Sequence, residues 1–310
     1  MNKAELIIEK IKASRAVRIL THARADGDAI GSAYALARVC RALGKQAAVS
    51  SDGGAPDRLK FLVEEVPTTL MTEDLVISVD VASPEQLGAL KDEWVDKVDI
   101  KIDHHRISPD FGKVQWVEPD AAAAGELVFE IAKAAGVTDS VTADLLYAAI
   151  TSDTGSFKYS NTSERTFGIA KELKAWGANT ARISEKLFEN MSVREARADG
   201  YIYSNMKFAF GGRLAYVVIT KASKDALGTL DEDYGNASSL LRGIEGVELA
   251  MAAKENDDGS YKLSTRSKEQ VDCAALCATL GGGGHVRAAG ATVTSDDIEG
   301  LILSLGEVLA

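Results

Sequence analysis

The sequence predicts an α/β protein: a doubly wound, mainly parallel sheet domain followed by a smaller α/β C-terminal domain with a mixed sheet. Three observations carry this. Short apolar runs at 17–20, 45–51 and 75–80 alternate with stretches of helical periodicity, the pattern of a sheet wound through crossover helices. Acid- or histidine-bearing segments stand at the ends of three apolar runs, where open parallel sheets bind ligands. Past Gly211 the order changes, and two strands at 247–253 and 261–266 flank the turn Asn256-Asp257-Asp258-Gly259, a hairpin signal.

A length of 310 residues suits two domains, and 46% hydrophobic content supplies a sizeable core. No apolar run has the length of a membrane span, and the N-terminal stretch lacks the apolar centre of a signal peptide. Cys40, Cys273 and Cys277, with no C-x-x-C among them, argue against a disulfide framework or a structural zinc site and read as small core residues. The expectation is a cytoplasmic protein with no membrane partner. A net charge of −11 disfavours a protein that coats long duplex DNA. It leaves a polyanionic substrate open, because acids gathered around bound cations present a positive centre to phosphate.

In chain order, a helix is expected at 3–13, then the strand at 17–20. The strand runs into Thr21-His22-Ala23-Arg24-Ala25-Asp26-Gly27-Asp28, and a long helix follows until Gly44 stops it. Strands at 45–51 and 75–80 come next, and Ser83-Pro84-Glu85 opens a helix. The alternating run Val98-Asp99-Ile100-Lys101-Ile102 reads as a strand ending in Asp103-His104-His105. After a strand at 114–117, helices are expected near 122–135, 139–151, 163–176 and 179–190. The domain reading is 1–190, a helical connector at 191–210, and 211–310. The last part holds strands at 213–219, 247–253, 261–266 and 291–293, with helices at 221–227, 235–243, 271–280 and 297–309.

Four histidines occur in the chain, His22, His104, His105 and His285, and each sits beside an acid cluster or a glycine run. Asp26-Gly27-Asp28 alone reads as a turn with a helix cap. A calcium loop fails, because Ile30 and Ala37 fall where oxygen ligands belong. Adding His22 makes a mixed nitrogen and oxygen set that suits manganese, iron, cobalt or zinc. Asp80 ends a run apolar on both faces, and Asp103, His104 and His105 end the alternating run at 98–102. Asp153 follows a helix, so strand-end reasoning does not reach it. The run Gly281-Gly282-Gly283-Gly284-His285-Val286-Arg287 reads as a loop whose amides approach an anion closely, with Arg266 and Arg287 adding charge. It is not a P-loop, for no Lys-Ser or Lys-Thr follows.

Together these motifs resemble the DHH-type phosphoesterase superfamily, in the subgroup with a DHH-associated C-terminal domain. The H-x3-D-G-D loop at 22–28, Asp80, Asp-His-His at 103–105, Asp153 and the G-G-G-G-H run at 281–285 occur in the family's order over nearly the whole chain. Ala25 stands where proline is frequent in the family, and Arg287 where lysine is; neither removes a ligand or a charge. The resemblance implies two divalent cations, manganese first. His22, Asp26 and Asp80 would hold one, and Asp28, Asp80, His104 and Asp153 the other, with Asp80 bridging. It implies that Asp103 orients His104 and that His105 meets the phosphate. Arg266, Gly282, Gly283, Gly284, His285 and Arg287 would hold the nucleotide. Water activated between the cations would attack phosphorus in line with the leaving oxygen. The implied substrates are short single-stranded RNA oligonucleotides, cut to nucleoside monophosphates, and 3′-phosphoadenosine 5′-phosphate, with a homodimer left open. Rival readings are a cyclic or linear dinucleotide phosphodiesterase (c-di-AMP or pApA), an inorganic pyrophosphatase, which the glycine run disfavours, and an inactive nucleotide-binding regulator.

Overall fold

The computed structural model describes residues 2–63 and 72–310. The chain divides into two compact units, Met1–Asn190 and Met191–Ala310.

The first unit opens with helix α1 (Lys3–Ala13). Asn2 caps it, accepting a hydrogen bond from the Glu5 amide, and the Glu5 carboxylate returns the bond to the Asn2 amide. Ala4, Ile7, Ile8 and Ile11 form its buried stripe. Strands β1 (Ala16–Leu20), β2 (Gln46–Ser50), β3 (Leu75–Val79), β4 (Ile100–Asp103) and β5 (Val114–Val117) make one parallel sheet in the order β2-β1-β3-β4-β5. The winding direction reverses between β1 and β3, and that switch point opens a crevice at the strands' C-terminal ends. The helices are α2 (Gly27–Ala42), α3 (Lys91–Trp94), α4 (Ala124–Ala134), α5 (Ser140–Asp153), α6 (Glu164–Ala175) and α7 (Thr180–Ser184).

Two helical expectations change here. The segment opened by Ser83 is a 3-10 turn over Pro84–Leu90, kinked where Gly88 takes φ +59°, and only Lys91–Trp94 is α-helical. The helix expected to reach 190 ends at Ser184 and runs on as one π turn over Glu185–Glu189. Strand β4 alternates lysine with isoleucine, yet all four of its residues are buried.

Helix α2 packs tightly on α5. Gly27 and Gly31, one turn apart, let the backbones meet: a Cβ on Gly31 would lie 2.4 Å from the Leu145 carbonyl oxygen, and one on Gly27 2.6 Å from Ser152 Oγ. This approach brings the N-terminus of α2 beside the C-terminus of α5.

In the second unit, α8 (Val193–Asn205), β6 (Lys207–Ala209), β7 (Leu214–Ile219), α9 (Lys221–Leu227), α10 (Ala237–Arg242), β8 (Leu249–Glu255) and β9 (Tyr261–Ser267) come first. Helix α11 (Cys273–Ala278), β10 (Gly283–His285), β11 (Ala288–Val293) and α12 (Ile298–Gly306) follow. The sheet order is β10-β11-β9-β8-β7-β6, with β7 and β8 parallel and the other pairs antiparallel. Period-2 alternation sends Leu214, Tyr216, Leu249, Met251 and Leu263 to a core with Cys273, Cys277 and Ile302. Ala215, Val217, Ile219, Ala250 and Ala252 face the other way, onto Ala198 and Ile202 of α8 and Leu241 of α10. Helix α8, in the segment read from sequence as a connector, thus packs into the second unit. Strand β6 was not anticipated, being short and polar at its start. All three cysteines are buried free thiols.

The glycine run is also not the loop expected of it. Gly283–His285 form edge strand β10, paired with β11 through a two-residue turn at Val286 and Arg287. Glycine makes this possible: a Cβ on Gly282 would lie 2.3 Å from the Gly290 carbonyl oxygen, and one on Gly284 2.6 Å from that of Ala288. Among the described residues no helix is long and apolar enough to cross a membrane.

Candidate active site

The site lies at the C-terminal ends of β1, β3 and β4. The loop after β1 carries His22, whose Nδ1–H donates to the Ala23 carbonyl oxygen at 2.9 Å, which turns Nε2 toward the acids. Nε2 stands 3.7 Å from Asp26 Oδ1 and 3.7 Å from Asp80 Oδ2. Asp26 is also the helix cap its sequence context suggested, since Oδ1 accepts from the Asp28 and Ala29 amides at 3.1 Å each.

Asp28, one residue into α2, has no exposed surface. Its carboxylate accepts from Ser32 Oγ at 2.8 Å and from the amides of Ala124 and Gly125 at 2.6 and 2.9 Å. It therefore satisfies the first turn of α4, whose own cap position, Ala123, has no side chain able to do so.

His104 follows β4. Its Nδ1–H donates to the Ala121 carbonyl oxygen at 3.2 Å, and its Nε2 lies 3.3 Å from Asp153, 3.5 Å from Asp80 and 3.7 Å from Asp28. Asp153 ends α5 and joins this group because Gly27 and Gly31 let α5 close on α2. Asp80 follows β3 with φ +58°, a left-handed conformation that aspartate tolerates better than most residues. One of its oxygens faces His22 and the other His104.

Among the described residues three groups could hold a metal: His22–Asp26–Asp80, Asp28–His104–Asp153, and Asp80–His104–His105, which shares Asp80 with the first and His104 with the second. Within each group one ligand atom per residue lies within 4.8 Å of the others. His104 Nε2 and Asp80 Oδ1 are buried without a hydrogen-bond partner. Orphaned polar atoms at the meeting point of carboxylates and imidazoles fit divalent cations, and the nitrogen–oxygen donor set suits a transition ion over calcium.

The charges agree with that fit. Burial pushes the His22 imidazole down, but Asp26 and Asp80 outweigh it and hold it up at about 11. His104 is likewise held up at about 12 against burial, by Asp153 and Asp80. Burial pushes the Asp80 carboxyl up, but the His104 and His22 imidazoles overcome this and hold it well below the usual carboxylate range. Burial and neighbouring carboxylates push Asp28 and Asp153 up. The raised His22 and His104 imidazoles stand where a cation would supply positive charge, and ligation there would need their Nε2 atoms deprotonated.

Asp103 does something other than expected. Its Oδ1 accepts from His105 Nδ1–H at 2.8 Å, while His104 reaches it only through a backbone amide at 2.9 Å. The carboxylate thus orients the His105 ring, and a backbone carbonyl orients His104. Asp103 Oδ2 accepts from Ser108 Oγ. Sequence reasoning missed Ser108, Lys101 and the Gly27–Gly31 pair; the i,i+4 glycines, each opening a turn of an otherwise well-formed helix, were a usable signal.

In the second unit, His285 pairs with Ala288, and Ala288 with Arg266. Directly paired residues share a sheet face, so His285 and Arg266 flank one small alanine, about 10 Å apart by strand spacing. Arg266 is half-buried, its Nη1 donating to the Thr265 carbonyl oxygen at 3.0 Å, and burial and the Arg242 charge lower its proton affinity. Exposed Arg287 donates to the Val271 carbonyl oxygen at 3.0 Å. As part of an edge strand, Gly283 and Gly284 have a sheet neighbour on one side only.

A parallel sheet carries clustered carboxylates and imidazoles at its switch point, and the family and relatives it matches make the chain a phosphodiesterase or phosphatase of the hydrolase class. The chain belongs to the DHH family of phosphoesterases: residues 16–150 match the DHH family, N-terminal domain, and residues 211–310 match the DHHA1 domain. It is 33% identical over 306 residues to the bifunctional oligoribonuclease and PAP phosphatase NrnA of Thermus thermophilus, covering 96% of this chain and 90% of that one. It is 30% identical to the NrnA of Bacillus subtilis, covering 93% and 92%. A cyclic-di-AMP phosphodiesterase, PdeA of Listeria monocytogenes, is 26% identical over 91% of this chain and 45% of its own length. In fold it resembles an exopolyphosphatase-related protein from Bacteroides fragilis, with a TM-score of 0.89 at 23% identity over 100% of this chain and 97% of that one.

Gly31→Ala tests how Asp153 reaches the site. The added Cβ meets the Leu145 carbonyl oxygen and Ala149, so α2 and α5 have to part. The first unit is expected to lose about 1–3 kcal/mol of stability, with weaker manganese binding. Thermal unfolding and calorimetric titration of manganese check this; unchanged affinity would separate the helix contact from the site.

Proposed function

We infer that the chain is a manganese-dependent phosphoesterase that hydrolyses short oligoribonucleotides to nucleoside monophosphates and 3′-phosphoadenosine 5′-phosphate to AMP. The observation that carries this is Asp80, whose two oxygens face two separate carboxylate–imidazole groups. Identity to two NrnA enzymes over more than nine-tenths of this chain supports the substrate class.

In this reading residues 1–190 are the metal-binding catalytic domain, and 211–310 hold substrate. His22, Asp26 and Asp80 would hold one cation, and Asp28, Asp80, His104 and Asp153 the second. Bound there, such ions lower the pKa of water and offset charge on phosphoryl oxygens. The protein's own groups do the rest. Asp103 holds the His105 ring by Nδ1–H and raises its proton affinity, so that in the imidazolium form Nε2–H donates to a phosphoryl oxygen as charge builds on it. The Ala124 and Gly125 amides and Ser32 hold Asp28 in one rotamer, and the Ala121 carbonyl oxygen fixes the tautomer of His104. Arg266, His285, Arg287 and the run Gly282, Gly283 and Gly284, whose first amide already donates to the Cys277 carbonyl oxygen, bind the remaining phosphate and sugar, which places the scissile bond.

The second reading, a phosphodiesterase for cyclic or linear dinucleotides, is favoured by the similarity to PdeA. One turnover panel decides. It compares RNAs of two to five nucleotides, an RNA of about twenty, 3′-phosphoadenosine 5′-phosphate, c-di-AMP, pApA and pyrophosphate, with manganese and then magnesium. The short RNAs are expected to go fastest, with manganese ahead of magnesium because magnesium binds imidazole poorly. Faster loss of the long RNA, or c-di-AMP as the best substrate, overturns the assignment.

A further inference from the structure

We propose that Lys101 is a positioning residue for the hydrolysis: its buried ammonium fixes the Asp103 carboxylate and, through it, the His105 ring. The inference rests on the reading of His105 as a group that meets the phosphate.

Lys101 has no exposed surface. It sits two residues before Asp103 on β4, so both side chains leave the same face of the sheet. Its Nζ donates to the Ala82 carbonyl oxygen at 3.0 Å and to that of Pro109 at 2.9 Å. The same atom lies 3.8 Å from Asp103 Oδ2 and 4.2 Å from the centre of the Phe111 ring. Ala82 is two residues past Asp80, and Pro109 four past His105. One ammonium therefore ties the loop after β3 and the loop after β4 to the strand that carries Asp103. Ser108, beside Pro109, donates to Asp103 Oδ2. With Oδ2 bonded by Ser108 and facing the ammonium charge at 3.8 Å, Oδ1 stays aimed at His105 Nδ1, 2.8 Å away.

Packing does not explain a lysine here. Burying an ammonium costs several kcal/mol, and methionine would fill the same space without that cost. What methionine cannot do is satisfy the Ala82 and Pro109 carbonyls and face Asp103 with positive charge. Among the ring contacts the consequence falls on His105, because the ring of His104 hangs from the Ala121 carbonyl oxygen and His104 meets Asp103 only through its backbone amide.

The test is a double-mutant cycle on the full chain with manganese and an RNA dinucleotide. Lys101→Met is expected to lower kcat about 10- to 100-fold, with KM within about twofold and bound manganese unchanged. In a His105→Ala background the same change should cost nothing further. An equal loss in both backgrounds would mark a general structural effect and overturn the proposal, as would loss of manganese or a kcat within about twofold of wild type. Full turnover by His105→Ala would overturn the reading of His105 along with the inference; a slow His105→Ala beside a fast Lys101→Met overturns the inference alone. Should Lys101→Met fail to fold, Ser108→Ala carries the same cycle from a partly exposed loop. Its expected loss is about 3- to 10-fold, again absent without His105, and an additive loss overturns the proposal.

Discussion

Asp80→Asn is expected to lower kcat by more than about 10³-fold while both units stay folded. The effect is large because one Asp80 oxygen faces His22 and the other His104, so the residue belongs to two of the groups that could hold a metal among the described residues. Removing its charge weakens both places at once. Asparagine is the better replacement than alanine, because the backbone at 80 has φ +58° and asparagine tolerates that conformation while alanine pays about 1–2 kcal/mol for it. Kinetics, bound manganese and circular dichroism measured on one preparation check the prediction. Turnover within about tenfold of wild type would remove Asp80 from its assigned role.

Arg266→Ala is expected to cost about 10- to 150-fold in kcat/KM with no change in bound manganese. That range follows from a charge-assisted hydrogen bond worth roughly 1.5–3 kcal/mol. Arg266 and His285 stand on one face of the second unit's sheet with only Ala288 between them. Loss of binding remote from the reacting phosphorus raises KM and, where that binding places the scissile bond, lowers kcat too. Unchanged kcat/KM would leave this face without a part in the reaction, and loss of manganese would move Arg266 into the metal site.

Much of the first unit was legible because its signals are local. The apolar runs at 17–20, 75–80 and 114–117 became β1, β3 and β5, and helix α1 matches the expected 3–13. Parallel strands buried on both faces stand out from amphipathic helices by composition alone. The second unit was harder to read. Its glycine run has no side chains from which to read a period, so strand β10 was taken for a loop.

Residue type and order by themselves determined the α/β class, and placed His22, Asp26, Asp28, Asp80, His104 and His105 at the ends of strands. Those are consequences of neighbours within a few positions, and local periodicity carries them. Tertiary structure alone decided three things. It brought Asp153 from the end of a helix into the site, through glycines that let α2 and α5 close. It gave Asp103 to His105 and the Ala121 carbonyl oxygen to His104. It buried Lys101 under two loops from different parts of the chain. Apart from the Asp103–His105 bond, which spans two residues, these contacts join atoms from separate elements, and only the relative placement of packed elements sets their distances.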